Sequence, residues 1–66
     1  MREYSNSQIA ACIDNWVHSE RNRQMMKRRY IDGITFERLA EEFDLSVRQT
    51  KNIIYAESKS VFKHYP

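Results

Sequence analysis

The chain has 66 residues, of which 41% are apolar and 30% are charged, and its formal net charge is +2 at pH 7. This length suits one small domain with a single shared core and excludes a second domain. The chain has only one glycine and one proline, too few for the turns that a sheet protein of this size needs. Its single cysteine, Cys12, excludes an intrachain disulfide. We therefore expect an all-α fold. No apolar run is long enough for a bilayer span or a signal peptide, so we expect the protein to be cytoplasmic.

Charge is distributed unevenly along the chain. Residues 1–18 and 34–46 carry net formal charges of −1 and −3, whereas residues 19–33 and 47–66 carry +3 each. An acidic segment therefore lies between two basic ones. This arrangement suits contact with a polyanion if the basic segments meet on one face, and a mixed-charge surface that serves solubility explains it as well.

The first predicted helix runs from about residue 6 to residue 18. Ser5 is its expected N-cap, and Gln8, three residues later, completes a capping box. Tyr4 precedes the cap and is expected to pack against Ile9 as a hydrophobic staple.

Apolar residues recur along this helix at helical spacing and form one stripe: Ile9, Cys12, Ile13, Trp16 and Val17. In a chain this short, the stripe is interpreted as the face that covers the other helices. The alternative is that Ile13 and Trp16 contact a second copy of the protein.

The second predicted helix begins at Ser19 or Glu20 and ends before Gly33, which supplies a left-handed stop after Asp32. We assign it a supporting role over residues 19–33. Its apolar positions are Met25, Met26 and Tyr30. Basic residues cluster in its last turns, where they either complement the helix dipole or contact phosphate groups.

Two further helices are predicted with only a short link between them. Thr35 caps the third helix, residues 36–43, and Ile34 is expected to staple to Leu39. Ser46 caps the fourth helix in a capping box with Gln49. A gap of about three residues forces the two helices to cross steeply, which predicts a helix-turn-helix over residues 35–43 and 46–62.

The fourth helix has one apolar side and one polar side. Its expected core positions are Val47, Thr50, Ile54 and Val61, extended by Ile53 and Phe62. The polar side near its N-terminus carries Arg48, Gln49, Lys51, Asn52 and Tyr55. Arginine pairs with guanine, asparagine or glutamine with adenine, and lysine with guanine or phosphate. No glutamate lies between residues 47 and 56, so this side offers donors without a carboxylate that would repel phosphate.

The segment "RNRQMMKRRYIDGITFERLAEEFDLSVRQTKNIIYAESKSVFK", residues 21–63, resembles region 4 of sigma-70 type transcription initiation factors, their promoter-reading helix-turn-helix. The "LAEEFDLS" pattern is shared by many helix-turn-helix families. The resemblance implies that the fourth helix enters the major groove. The matching positions are Val47, Arg48, Gln49, Lys51 and Asn52.

Three departures from the family pattern stand out. Asp44 occupies a turn position where the family often has glycine, and aspartate tolerates the left-handed conformation better than most residues. Thr50 stands where the family usually buries valine or isoleucine, which is expected to loosen the packing of the fourth helix. The chain lacks any segment resembling the part of a sigma factor that melts DNA and grips the polymerase. The resemblance therefore suggests a small stand-alone regulator of the phage or mobile-element type.

Sequence-specific binding of double-stranded DNA, in transcription regulation, is the first functional hypothesis. Base reading is assigned to Val47, Arg48, Gln49, Lys51, Asn52 and Tyr55. Phosphate contacts are assigned to Arg28, Arg29, Arg38, Ser46 and Lys59. A single small module discriminates poorly between sites, so we expect a homodimer or a partner protein on DNA.

The alternative is a protein-interaction module that acts on RNA polymerase or another regulator through an acidic face of Glu37, Glu41 and Glu42. An ordinary solvated helix face explains these residues as well. An enzyme is not expected, because no phosphate loop and no paired acid and base can be found. Cys12, Asp14 and His18 match no zinc-site spacing, and neither a metal nor a cofactor is predicted.

Overall fold

Four α-helices make up the fold. The computed structural model describes residues 5–63, and over this range the helices are α1 (Asn6–Trp16), α2 (Glu20–Tyr30), α3 (Phe36–Glu42) and α4 (Val47–Lys63). The described residues contain no strand, and the predicted all-α, four-helix domain is confirmed. None of these helices has the length and apolar character needed to cross a bilayer. The predicted staple between Tyr4 and Ile9 lies outside the described residues.

Side-chain caps begin the first three helices at the positions predicted from sequence. The Ser5 Oγ accepts from the Gln8 N–H at 3.2 Å, and the Gln8 Oε1 accepts from the Ser5 N–H at 2.9 Å. Ser19 caps α2 by accepting from the Asn22 N–H, and Thr35 caps α3 in the same way. Such caps satisfy backbone donors that have no partner within the helix, and each typically contributes about 1 kcal/mol.

Two helices end earlier than predicted. The first ends at Trp16 and not near residue 18, because Val17 has an extended backbone with φ −106° and ψ 116°. This turn lets the chain reverse into α2. Helix α3 ends at Glu42 and Phe43 is its C-cap, so the link to α4 comprises the four residues 43–46 and not three.

A left-handed residue follows both α2 and α3. Helix α2 ends at Tyr30 with Ile31 as its C-cap, and the chain then turns through Gly33 with φ +72°. Asp44 follows the C-cap of α3 with φ +56°. The N–H of Leu45 donates to the Ala40 carbonyl at 2.9 Å and the N–H of Asp44 to the Glu41 carbonyl at 3.4 Å. This is the Schellman pattern, with aspartate at the position that usually holds glycine. The tight link between α3 and α4 therefore survives without glycine.

All four helices contribute to one core. Its fully or almost fully buried apolar side chains are Ile13, Val17, Met25, Met26, Leu39, Ile54 and Val61. One polar residue, Thr50, is also buried and has no exposed surface. Ile13 of α1 and Val17, which follows it, are buried in this core. Ile13 has no exposed surface for a contact with a second copy, whereas Trp16 is 41% exposed.

Two polar contacts also tie α1 to its neighbours. The Lys27 Nζ lies 2.8 Å from the Asp14 Oδ1, which joins α1 to α2. The Cys12 thiol lies 3.4 Å from the Val61 carbonyl oxygen of α4. Partial burial raises the pKa of this thiol, which keeps it protonated and able to donate. The Asp14 carboxylate and the Cys12 thiol therefore both contact neighbouring helices.

Candidate nucleic-acid interface

The exposed side of α4 carries most of the residues assigned to base reading. Arg48, Asn52, Tyr55 and Lys59 are all exposed, at spacings of four, three and four residues. This spacing places them along one stripe of a helix. Lys51 is also exposed beside this stripe, and Val47 is half-buried at the first turn. We call the stripe of Arg48, Asn52, Tyr55 and Lys59 the polar face of α4.

A carboxylate does occur in α4, but it lies away from the polar face. Glu57 is the single acidic residue of this helix, and its Oε2 accepts from the Asn22 Nδ2 of α2 at 2.8 Å. Its position follows from periodicity, since it lies three residues after Ile54 and four before Val61, both of which are buried. The polar face therefore contains positive and neutral donors with no acidic side chain among them.

Gln49 has a structural role at the start of α4. Its Oε1 accepts from the Ser46 N–H at 3.1 Å, and its own N–H donates to the Ser46 Oγ at 3.0 Å. The predicted capping box is confirmed. A bidentate contact with adenine needs the amide oxygen as an acceptor. While Gln49 caps the helix, its Oε1 is engaged and its amide N–H groups are the atoms left to contact a base. The Ser46 Oγ accepts from the Gln49 N–H, and its own O–H can still donate to a phosphate.

Arg28 is paired within the protein. Its guanidinium forms two hydrogen bonds with the Glu42 carboxylate of α3, with Nε–Oε1 and Nη2–Oε2 distances of 3.1 and 2.6 Å, and a third with Asp32 at 2.8 Å. These bonds raise the pKa of Arg28 and lower the pKa of Glu42, because each stabilises the charged form of its partner. Arg28 thus joins α2 to α3, and a phosphate would have to compete with two carboxylates for it.

Arg29 is also engaged within the protein, although not by a carboxylate. Its Nη1 donates to the Ile34 carbonyl at 2.8 Å, and its Cζ lies 4.2 Å from the centre of the Phe36 ring. This geometry is a cation–π contact. Arg29 is half-buried, so any phosphate would meet the remaining edge of its guanidinium.

The other residues assigned to phosphate contact are more accessible. The Arg38 side chain is 72% exposed, and its Nε lies 3.9 Å from the Glu42 Oε2, at the outer limit of an ion pair. Lys59 is exposed at the far end of the polar face, eleven residues after Arg48. Of the acidic residues on α3, Glu37 and Glu41 are exposed, while Glu42 is held by Arg28.

Sequence reasoning did not single out Phe36, which lies beside the polar face. Its ring forms an edge contact with Tyr55, with ring centres 5.8 Å apart and planes at 68°. The Lys51 Nζ lies 5.7 Å from the centre of the same ring. No local pattern marks this cluster, because its members come from α2, α3 and α4.

The residues that resembled metal ligands are dispersed. Cys12 contacts Val61, Asp14 pairs with Lys27, and His18 is exposed after the end of α1. Within residues 5–63, no three side chains of histidine, cysteine, aspartate or glutamate come together as a metal site would require. Comparison of the chain with protein-family models, with curated proteins and with solved structures found no match.

Proposed function

We propose that this chain binds double-stranded DNA in a sequence-specific manner and acts as a transcriptional regulator. Helix α4 would lie in the major groove as the second helix of a helix-turn-helix, with α3 crossing the backbone. The observation that carries the proposal is the polar face of α4, which has no carboxylate. Glu57, the single acidic residue of α4, lies on another side of the helix and accepts a hydrogen bond from Asn22. A surface lacking acidic groups avoids repulsion from phosphates.

Arg48 and Asn52 are the side chains best suited to read bases. Both are exposed, and they lie one helical turn apart on the polar face. Arginine offers two donors to the O6 and N7 of guanine, and asparagine offers one donor and one acceptor to adenine. The Arg48 guanidinium forms no ion pair with another described residue. The proposal therefore assigns base discrimination chiefly to this pair and gives Gln49 a donor-only role.

The resemblance of residues 21–63 to sigma-70 region 4 supports the same function. The two departures inside the motif are compatible with the fold, since Asp44 adopts the left-handed turn and Thr50 is buried with its hydroxyl bonded to Ser46. A protein-interaction role for α3 is the weaker alternative, because Arg28 neutralises Glu42 and leaves Glu37 and Glu41 as separate exposed charges.

The deciding experiment measures binding of the purified protein to a labelled random-sequence duplex pool as salt is raised. We expect binding at low salt, with log K falling by about 0.9 for each phosphate contact per unit of log salt. Selection from the same pool should enrich a short site, and Arg48→Ala or Asn52→Ala should alter single positions of that site.

Lys27→Ala is the matched control, because it removes one positive charge from a residue of α2 that pairs with Asp14 of α1. It should leave the selected site unchanged. Absence of binding to the random pool at low salt, by protein that circular dichroism shows to be folded, would refute the proposed function. A single small module distinguishes poorly between DNA sites, so we expect two copies of the protein on one selected site. The mass of the protein–DNA complex measures this number.

A further inference from the structure

The Phe36 ring gathers three side chains from two neighbouring helices. Arg29 of α2 lies over its face at 4.2 Å, Lys51 of α4 approaches to 5.7 Å, and Tyr55 of α4 forms the edge contact. The face of an aromatic ring is electron-rich and attracts cations within about 6 Å. Phe36 therefore contacts a positively charged side chain from each of its two neighbouring helices, and both charged groups lie near the same ring.

Neither of these two cations has a carboxylate partner within residues 5–63. The neighbouring Lys27 and Arg28 do have such partners, in Asp14, Asp32 and Glu42. Two positive charges held near one ring repel each other, and an aromatic face offsets only part of that cost. An anion that contacts both groups would offset this repulsion.

The location of the cluster indicates which anion it suits. Lys51 and Tyr55 lie one turn apart on the flank of α4 that faces Phe36 of α3. Asn52 lies roughly 100° farther round the helix from Lys51. When such a helix occupies the major groove, the preceding helix crosses the DNA backbone, so the flank facing α3 meets phosphates and not base edges.

We propose that Arg29, Lys51 and Tyr55, positioned by the Phe36 ring, form a binding site for the phosphodiester backbone at the edge of the groove. This inference rests on the proposed DNA binding and reassigns Lys51 and Tyr55 from base reading to phosphate contact. Lys51 supplies a charge and Arg29 supplies the edge of its guanidinium. Tyr55, a residue that is 53% exposed, supplies a hydroxyl donor. Phe36 is a positioning residue and does not itself contact DNA.

The first test is Lys51→Ala compared with Arg48→Ala, both at exposed positions of α4. A phosphate contact predicts that Lys51→Ala weakens binding equally across sequences and makes the salt slope shallower by about 0.9. Arg48→Ala should instead change a single position of the selected site. A changed base preference for Lys51→Ala, or an unchanged salt slope, would overturn the assignment.

The second test examines Phe36 against a matched aromatic pair. Tyr30 of α2 and Phe62 of α4 form another edge contact between two helices, with ring centres 5.2 Å apart and planes at 75°. Phe62 lies seven residues after Tyr55. We expect Phe36→Leu to lower affinity about twofold to fivefold on every sequence and to flatten the salt slope, since cation–π contacts are lost. Phe62→Leu should leave both quantities unchanged.

Phe36→Tyr supplies the rescue, because it keeps an aromatic face and should keep the affinity and the salt slope. Equal effects of Phe36→Leu and Phe62→Leu on DNA binding would overturn the positioning role. If Phe36→Leu does not fold, the comparison of Lys51→Ala with Arg48→Ala decides the proposal alone. Failure of the unaltered protein to bind any duplex would refute the proposed function, whereas binding with unaltered salt slopes in these variants refutes only this site.

Discussion

The hydroxyl of Thr50, which is fully buried, donates to the Ser46 carbonyl oxygen at 2.9 Å. The same carbonyl accepts the Thr50 N–H at 3.0 Å, so it keeps a partner when the hydroxyl is removed. A polar residue thus lies in the core position of α4 without an unsatisfied group. Thr50 has no exposed surface, and the remaining cost is the burial of a hydroxyl where a methyl group would fit.

We therefore expect Thr50→Val to be neutral or to stabilise the domain by up to about 1 kcal/mol, because no buried acceptor loses its only partner. Such a gain would raise the melting temperature by about 4–8 °C in a domain of this size. Thr50→Ser keeps the hydroxyl, deletes a buried methyl group and should destabilise by about 1 kcal/mol. Thermal and urea unfolding measure both variants, and a clear loss of stability in Thr50→Val would contradict the prediction.

Asp44 holds a left-handed backbone between α3 and α4, with φ +56°. Asp44→Gly should stabilise the domain by about 0.5–1 kcal/mol, because glycine adopts this conformation without a steric penalty. Gly33→Ala is the opposite case: φ is +72° and no atom lies within 4 Å of the added Cβ, so its cost of about 1 kcal/mol is conformational alone. Urea unfolding should show a higher free energy of unfolding for Asp44→Gly and a lower one for Gly33→Ala. A change of the same sign in both variants would refute the prediction that the left-handed backbone sets these stabilities.

The ion pair between Arg28 and Glu42 should make stability depend on pH. Arg28 lowers the pKa of Glu42, so the folded state favours the ionised carboxylate more than the unfolded state does. This contribution is present above the ordinary glutamate pKa of 4.5 and is lost as pH falls through the lower folded value. Glu42→Gln should therefore be less stable than the unaltered protein at pH 7 and equally stable in strong acid.

Glu41→Gln is the control for this prediction, since Glu41 is exposed on the same helix and forms no ion pair with a described residue. The effect in Glu42→Gln will be small because the pair faces solvent. Urea unfolding at pH 7 and in acid gives the comparison. The ion-pair role of Glu42 would be contradicted if Glu42→Gln and the unaltered protein differed in stability by the same amount at pH 7 and in strong acid.

The placement of carboxylates on α4 makes a prediction for DNA binding. Asn52→Asp puts an acidic group of nearly the same shape on the polar face and should weaken binding at least about tenfold, through the lost adenine contact and repulsion from DNA. Glu57→Gln removes the carboxylate bound to Asn22 and should change affinity by less than about twofold at physiological salt, where distant charges are screened. Fluorescence anisotropy on one selected duplex measures the affinity of both variants. Equal changes in affinity for Asn52→Asp and Glu57→Gln would contradict the placement of Glu57 away from the polar face.

Much of the fold follows from patterns within single helices. The caps at Ser5, Ser19 and Thr35, the stop at Gly33 and the burial of Ile13 could all be read from residues three or four positions apart. Spacing predicts these features because neighbours at i+3 and i+4 share a helix face whatever the rest of the chain does. Helix ends were less predictable, since Val17 leaves the helix to let the chain reverse.

The tertiary structure decided which charged and aromatic side chains are paired. Arg28 and Arg29 are adjacent and chemically alike in sequence, yet one binds Glu42 and the other lies on Phe36. Glu57 belongs to a basic segment but bonds to Asn22 of another helix. By itself the sequence determined the helices, their caps and the residues on their faces. Partners across helices depend on crossing geometry and register, which local spacing does not encode, and only the packed structure assigned them.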